Sequence, residues 1–200
     1  MNNNLITLPG SSLVLLVGVS GSGKTTFARC HFLSSQILSS DRFRAMISDD
    51  ENCMEVSRDA FEILYMVTRK RLSGKKLTVI DATNIQDYGR RILLDIAAEC
   101  GAPVVALILN IPEDVCIDRA IKRTDRIIPL EVVFEQFKEF KRTTKAVYSE
   151  NFHSVYILNG PDEVNQAIVS ITDETVTRID ETSSVAAPIS IHRISSVPIS

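Results

Sequence analysis

Cysteine is scarce and unpatterned in this chain: the four present (Cys30, Cys53, Cys100, Cys116) form no CxxC pair and no zinc-ligand spacing. A disulfide framework or structural zinc site is therefore not expected, and the thiols read as small buried hydrophobes in a reducing compartment. Long hydrophobic runs are missing as well. The longest are strand-length, far short of the roughly 20 residues that span a bilayer. The opening stretch MNNNLITLPG carries no basic segment ahead of an apolar one, which argues against a secretory signal and makes the cytoplasm the expected location. An excess of charge is also lacking. A net charge of −3 supplies no global attraction to nucleic acid.

What is present suits one soluble domain. The hydrophobic and charged fractions, 44% and 24%, are ordinary for a globular protein, and 200 residues bury a core without staples. Five apolar runs read as strands: 13–19, 36–40, 77–80, 104–109 and 155–158. The first, LVLLVGV, fits a strand covered on both faces. Between the runs, Val56, Ala60, Phe61, Leu64, Val67 and Leu72 recur at helical spacing, as do Ile92, Leu93, Ile96 and Ala97. Pro112 and Pro161, each followed by acidic residues, open further helices. This alternation predicts an α/β fold, a parallel sheet with helices on both faces. The pattern stops near Thr172. Residues 1–171 read as the domain and 172–200 as a polar tail or linker with one short strand candidate.

Gly18-Val19-Ser20-Gly21-Ser22-Gly23-Lys24-Thr25 matches GxxxxGK[ST] between a strand and a helix. Glycines in such a loop let backbone N–H groups curl around an anion at a helix N-terminus. Ser20, Gly21, Ser22, Gly23 and Thr26 would contribute to that cradle. Lys24 would reach the β- and γ-phosphates of ATP, and Thr25 would offer its hydroxyl to Mg²⁺. Asp41 follows the second strand and is either a general base for an acceptor hydroxyl or a helix cap. Arg44, three residues on, can bind an acceptor phosphate. Asp81, at the end of the third strand, suits a water-mediated contact to Mg²⁺ or support for the loop. Asn84 caps the next helix or touches substrate. Arg119, Arg123 and Arg126 in RAIKRTDR fall along one helical face, as either a lid over the triphosphate or a solvated surface. From Arg119 to Lys145 eight basic residues face Asp125, Glu131, Glu135 and Glu139, with Glu150 just beyond. That positive stretch is a solvated helix face or a polyanion contact.

Taken together, GVSGSGKTTFA, ILSSDRFRAMISDDEN, VIDATN and RAIKRTDR resemble the 5′-polynucleotide kinase domain of bacterial polynucleotide kinase-phosphatases, the RNA-repair enzymes. The resemblance runs from about Leu13 to Pro161, and no matched catalytic position departs from the pattern. It implies a P-loop kinase fold with a five-stranded parallel sheet and a helical lid. It implies ATP and Mg²⁺ at Lys24 and Thr25, Asp41 as the base on a polynucleotide 5′-hydroxyl, Arg44 on the terminal nucleotide's 3′-phosphate, and Arg119, Arg123 and Arg126 as lid contacts to ATP. Under it the basic stretch Lys138–Lys145 becomes a candidate polynucleotide contact, with Phe137, Phe140 and Val147 as core. Family members often carry phosphatase and ligase-like domains after the kinase, and neither is present in these 200 residues. Those activities are expected from a partner chain or further domain. Two other readings keep the same loop: a kinase for a small-molecule hydroxyl (sugar, nucleoside or antibiotic), and a nucleotide-binding regulatory module in which Asp41 is only a cap.

Overall fold

The computed structural model describes residues 5–123 and 128–172, together with the backbone of residues 190–193. In chain order the strands are β1 (Leu5–Pro9), β2 (Leu13–Val17), β3 (Ile37–Ser39), β4 (Thr78–Asp81), β5 (Val104–Asn110), β6 (Ser154–Asn159), β7 (Ile168–Thr172) and β8 (Ser190–Arg193). The helices are α1 (Lys24–His31), α2 (Ser40–Ser48), α3 (Ser57–Ser73), α4 (Asp87–Glu99), α5 (Glu113–Lys122), α6 (Leu130–Ala146) and α7 (Gly160–Gln166). All five expected strands form, in the order β3-β4-β2-β5-β6 and all parallel. β8, from the tail, pairs with β6 as a sixth parallel strand. The expected domain boundary falls at the end of β7, and most of the expected tail, 173–189 and 194–200, lies outside the described residues.

Burial explains why these runs became strands. Every residue of β2 and β4 is buried, as is β5 up to its last residue, which only a sheet covered on both faces permits. α3 contributes Ala60, Leu64 and Leu72 to the core, and α4 contributes Leu93, Ile96 and Ala97. Ile92 was grouped with that apolar face but remains 39% exposed. Pro112 is the N-cap of α5, and Pro161 sits in the first turn of α7.

β1 and β7 were not anticipated. They pair with each other as a separate two-stranded parallel sheet. Tyr156 on β6 ties them down: its hydroxyl accepts from the Thr7 N–H (3.3 Å) and donates to the Thr7 carbonyl (3.0 Å). Half of β1 is exposed, so its apolar signal is short and alternating rather than continuous.

The topology creates the crevice. After β2 the chain moves to one side for β3 and β4, then crosses to the other for β5 and β6. Ligands of open parallel sheets bind at the carboxyl ends of strands flanking such a switch.

One buried ion pair fixes the helices around that crevice. Arg90 on α4 is 1% exposed and donates to both carboxylate oxygens of Glu150, at 2.6–3.2 Å. It also donates to the Asn84 carbonyl (2.9 Å) and to Thr143 Oγ1 (3.4 Å), while the Thr143 hydroxyl donates to the Ile85 carbonyl. The segment after β4 is thereby bolted to α6. Arg90→Leu should lower unfolding free energy by about 3–5 kcal/mol, since Glu150 is left half-buried and unpaired. Arg90→Leu combined with Glu150→Leu should recover part of that loss in urea titrations. A double variant no more stable than the single one would mean the pair does not hold this junction.

Candidate functional site

The phosphate loop leaves β2 at Gly18, whose N–H donates to the Thr83 carbonyl (3.0 Å). Gly21 and Gly23 have φ of 83° and 93°, a region that side chains rarely adopt. At Gly21 a Cβ would also lie 2.5 Å from the carbonyl oxygen of Cys116, so the loop packs directly on α5. Lys24 is buried and bridges the loop from within: its Nζ donates to the Val19 carbonyl (2.8 Å) and to Ser22 Oγ (3.4 Å). Ser20, Gly21, Gly23, Lys24, Thr25 and Thr26 line a cavity of about 1250 Å³. Gly18 and Ser22 lie beneath it and shape the loop rather than face a ligand.

Register brings the carboxylates to this loop. Leu16 of β2 and Ser39 of β3 both pair with Asp81 of β4. Asp81 is 4% exposed, and the Thr25 hydroxyl hydrogen-bonds to it. Burial pushes its pKa above the usual carboxylate value, against the pull of that hydrogen bond and of Lys24. Nearby Asp41 adds repulsion, and Arg29 adds attraction. A hydroxyl and a carboxylate in contact form an all-oxygen pair of the kind that Mg²⁺ accepts together with nucleotide phosphates. Among the described residues no group of three His, Cys, Asp or Glu could hold a metal by itself. Any Mg²⁺ here would therefore be shared with the nucleotide.

Asp41 is not the helix cap. Ser39 takes that position on α2, its hydroxyl accepting from the Arg42 N–H at 3.4 Å, and Asp41 lies in the first turn, 30% exposed. Arg44 is ion-paired with it one turn on, with 4% of its side chain exposed, and its Nε donates to the Glu51 carbonyl at 2.8 Å. The guanidinium expected to grip an acceptor phosphate is thus turned inward, on the carboxylate and the following loop. The (i, i+3) spacing on a helix brings such a pair together. Both residues line the cavity.

Asn84 does not cap α4, which begins at Asp87 after Gln86; it is buried and lines the cavity. With φ of 49° it donates to the carbonyls of Leu16 (2.8 Å), Ile80 (3.3 Å) and Ala82 (3.3 Å), stitching the ends of β2 and β4.

Across the cavity, Arg119 Nη1 donates to the Gly21 carbonyl (3.2 Å). α5 ends at Lys122, and Arg123 is extended at its C-cap, so Arg119 and Arg123 do not share one helical face as expected. Both arginines nevertheless line the cavity. Arg126 lies outside the described residues. Gln136 of α6 was missed: its Oε1 accepts from the Ser20 N–H (2.8 Å), directly on the phosphate loop. Nothing but helical spacing from Val133 could have marked it.

The basic stretch on α6 points elsewhere. Lys138 pairs with Glu135 and Arg142 with Glu139, both exposed at (i, i+3) spacing, while Phe137, Phe140 and Val147 are buried as core. This is a self-neutralising solvated face. Of the cysteines only Cys116 is buried, its thiol pushed up to about 11 by burial. Cys30 is exposed and Cys53 and Cys100 are half-buried, contrary to expectation.

The strand, loop and helix that build this site match a family model described as an AAA domain (AAA_33), over residues 13–147. The chain belongs to that family. This AAA domain is 29% identical over 136 residues to L-seryl-tRNA(Sec) kinase of Methanococcus maripaludis, covering 64% of the chain and 52% of that protein. It therefore spans about half the length of that curated relative. Among solved structures it is similar in fold to a chain of the Pnkp1/Rnl/Hen1 RNA repair complex, with TM-score 0.60 and 15% identity, covering 89% of this chain and 84% of that one. A chain of the AvrRxo1-ORF1:-ORF2 complex with ATP has TM-score 0.53 and 15% identity, over 72% of this chain and 52% of that one. The fold is that of the P-loop kinases. No helix among the described residues is long and apolar enough to cross a membrane.

The raised pKa of Asp81 has a consequence for stability. A carboxyl whose folded pKa exceeds its unfolded value of 3.8 favours folding while protonated, and that contribution is lost as pH rises through the folded pKa. Above that range the buried charge is a net cost. Asp81→Asn should therefore raise the melting temperature at pH 7–8 by roughly 2–4 °C, about 1 kcal/mol for a chain of this length. The difference should shrink as pH is lowered toward 4. Scanning calorimetry against pH decides it: a variant less stable at pH 8 would mean that the charge is compensated in the folded protein.

Proposed function

We propose that this chain is an ATP-dependent kinase that transfers the γ-phosphoryl group to the 5′-hydroxyl end of a polynucleotide, RNA or DNA. The observation that carries the reading is the position of Asp41. It sits in the first turn of α2, released from capping by Ser39, held by Arg44, and in one cavity with Lys24 and Thr25. β4 separates β3 from β2, so about 10 Å lies between their axes. That gap accommodates a γ-phosphoryl group and an attacking hydroxyl between the carboxylate and the phosphate loop.

In the proposed mechanism the loop N–H groups and Lys24 hold the triphosphate. Thr25 and Asp81 would hold Mg²⁺, which when bound neutralises charge on the phosphates. Arg119 and Arg123 stand on the opposite wall, where positive charge favours the equatorial oxygens of the transferred group. Asp41 aligns the acceptor hydroxyl and accepts its proton as the new O–P bond forms and the bond to ADP breaks. Arg44 acts through Asp41, as a positioning residue, by fixing the carboxylate in one orientation.

The fold likeness to a chain of an RNA repair complex supports a polynucleotide acceptor. In this reading phosphatase and ligase activities belong to a partner chain or domain. A second reading, a kinase for another hydroxyl, draws on the relative named for L-seryl-tRNA(Sec).

The test is transfer of γ-labelled phosphate, with Mg²⁺, to matched 5′-hydroxyl RNA and DNA oligonucleotides, set beside seryl-tRNA and free nucleosides. Asp41→Asn should lower transfer by about 10²–10⁴-fold while nucleotide binding is kept. Arg44→Lys should lower kcat more than it raises the KM for ATP. Label on seryl-tRNA or nucleosides alone would move the acceptor to the second reading, and an active Asp41→Asn enzyme would remove the base.

A further inference from the structure

The cavity extends well beyond the phosphates. Past Asp41 it follows α3, where Arg58, Phe61 and Tyr65 recur at helical spacing along its wall, with Met54 just before the helix. From Arg58 to Tyr65 the helix advances about 10 Å. Tyr88 and Ile92 on the neighbouring α4 line the same cavity. The Phe61 and Tyr65 ring centroids are 5.8 Å apart and tilted. Tyr65 is half-buried, and its hydroxyl pKa is raised by burial and then by proximity to Tyr88, which puts the two tyrosines beside each other. Gly89 contributes no side chain; a Cβ there would lie 3.9 Å from the Tyr65 hydroxyl oxygen.

Phe61 and Tyr65 are partly buried and pack against the core, whereas Tyr88, Met54 and Ile92 lie outside it. Tyr88 is 66% exposed, Met54 63% and Ile92 39%, all in one concave surface. Arg42 and Arg58, both exposed, border the same cavity, Arg58 paired at 3.2 Å with Glu62, which also lines it. Aromatic faces flanked by guanidinium groups recognise single-stranded nucleic acid through base stacking and phosphate contacts.

We propose that Tyr88, with Tyr65 and Phe61, forms a stacking platform for the nucleobases at the 5′ end of a single-stranded acceptor, with Arg42 on its phosphates. The proposal rests on the kinase reading above and narrows it. The acceptor is unpaired at its end, and one or two terminal bases, not only the hydroxyl, contribute to recognition. Base identity matters little, because every base offers a π-face.

The experiment compares 5′-hydroxyl oligonucleotides whose first two nucleotides carry bases with otherwise identical ones abasic at those positions. The intact acceptor should have a KM lower by about 5–100-fold, the range of one stacked base, with similar kcat. Tyr88→Ala should erase most of that difference by raising the KM of the intact acceptor only, leaving the KM for ATP unchanged, and Tyr88→Trp should restore it. Because Tyr88 is largely exposed, the alanine variant should melt like the parent, and circular dichroism checks this. Efficient labelling of both oligonucleotides with equal KM would overturn the platform and leave the kinase standing. Intact discrimination in Tyr88→Ala and in a Tyr65→Phe/Phe61→Leu variant would also overturn it, by locating base recognition elsewhere. Failure to label any oligonucleotide while a small hydroxyl is phosphorylated would overturn the kinase reading, and the platform with it.

Discussion

The register of three parallel strands governs this site. Leu16, Asp81 and Ser39 stand abreast on β2, β4 and β3, and each strand hands the chain to a functional segment within two residues: Gly18, Asp81 itself, and Asp41. Because side chains alternate along a strand, a slip of one residue would turn Asp81 to the other face of the sheet. Asp81 would then lose Thr25, and Asp41 would be displaced from the phosphate loop. The uniformly buried β2 and β4 cannot set that register by an in-out pattern. The ends do it, through Asn84, whose amide donates to carbonyls on both strands.

Contacts from the other side hold the loop in place. Cys116 packs its backbone against Gly21, Arg119 binds the Gly21 carbonyl, and Gln136 receives the Ser20 N–H. α6 therefore occupies the Ser20 N–H, a donor that could otherwise receive a phosphate oxygen, while α5 holds Gly21 beside it. α6 is bolted in turn to the segment after β4 through Thr143, Arg90 and Glu150. Nucleotide on the loop and an acceptor beyond Asp41 would thus press on one connected frame. The Gln136 and Arg119 contacts are single hydrogen bonds at part-exposed side chains, each of modest net strength, and a bound nucleotide can replace them.

Local charge, not net charge, suits the site to polyanions. The chain is acidic overall, and the basic residues on α6 are largely offset by glutamates one turn away. The cations that matter, Lys24, Arg29, Arg42, Arg58, Arg119 and Arg123, are scattered through the sequence and meet only around the cavity. A count along the chain therefore points to α6, whose basic residues do not line the cavity.

Much was legible beforehand. Continuous apolar runs identified five strands, proline with acidic residues marked two helix starts, and GVSGSGKT fixed the phosphate loop, because each signal is local and a few residues suffice to produce it. β1 and β7 escaped because each is short and half-exposed and acquires its partner only across the whole chain. Arg44, expected on an acceptor phosphate, stands in the cavity wall paired with Asp41, and Asn84, expected to cap α4 or touch substrate, clamps the ends of two strands. The Asn84 clamp was illegible because a polar side chain's role depends on what lies within about 3 Å of it, and sequence spacing reports that only inside a helix turn. The sequence by itself determined the α/β class, the loop and its lysine, and the two carboxylates at strand ends. Tertiary structure alone decided which face Arg44 turns to, that Gln136 reaches the loop, and that Tyr65 and Tyr88 share a wall, since these contacts join separate elements and arise only when helices pack on the sheet.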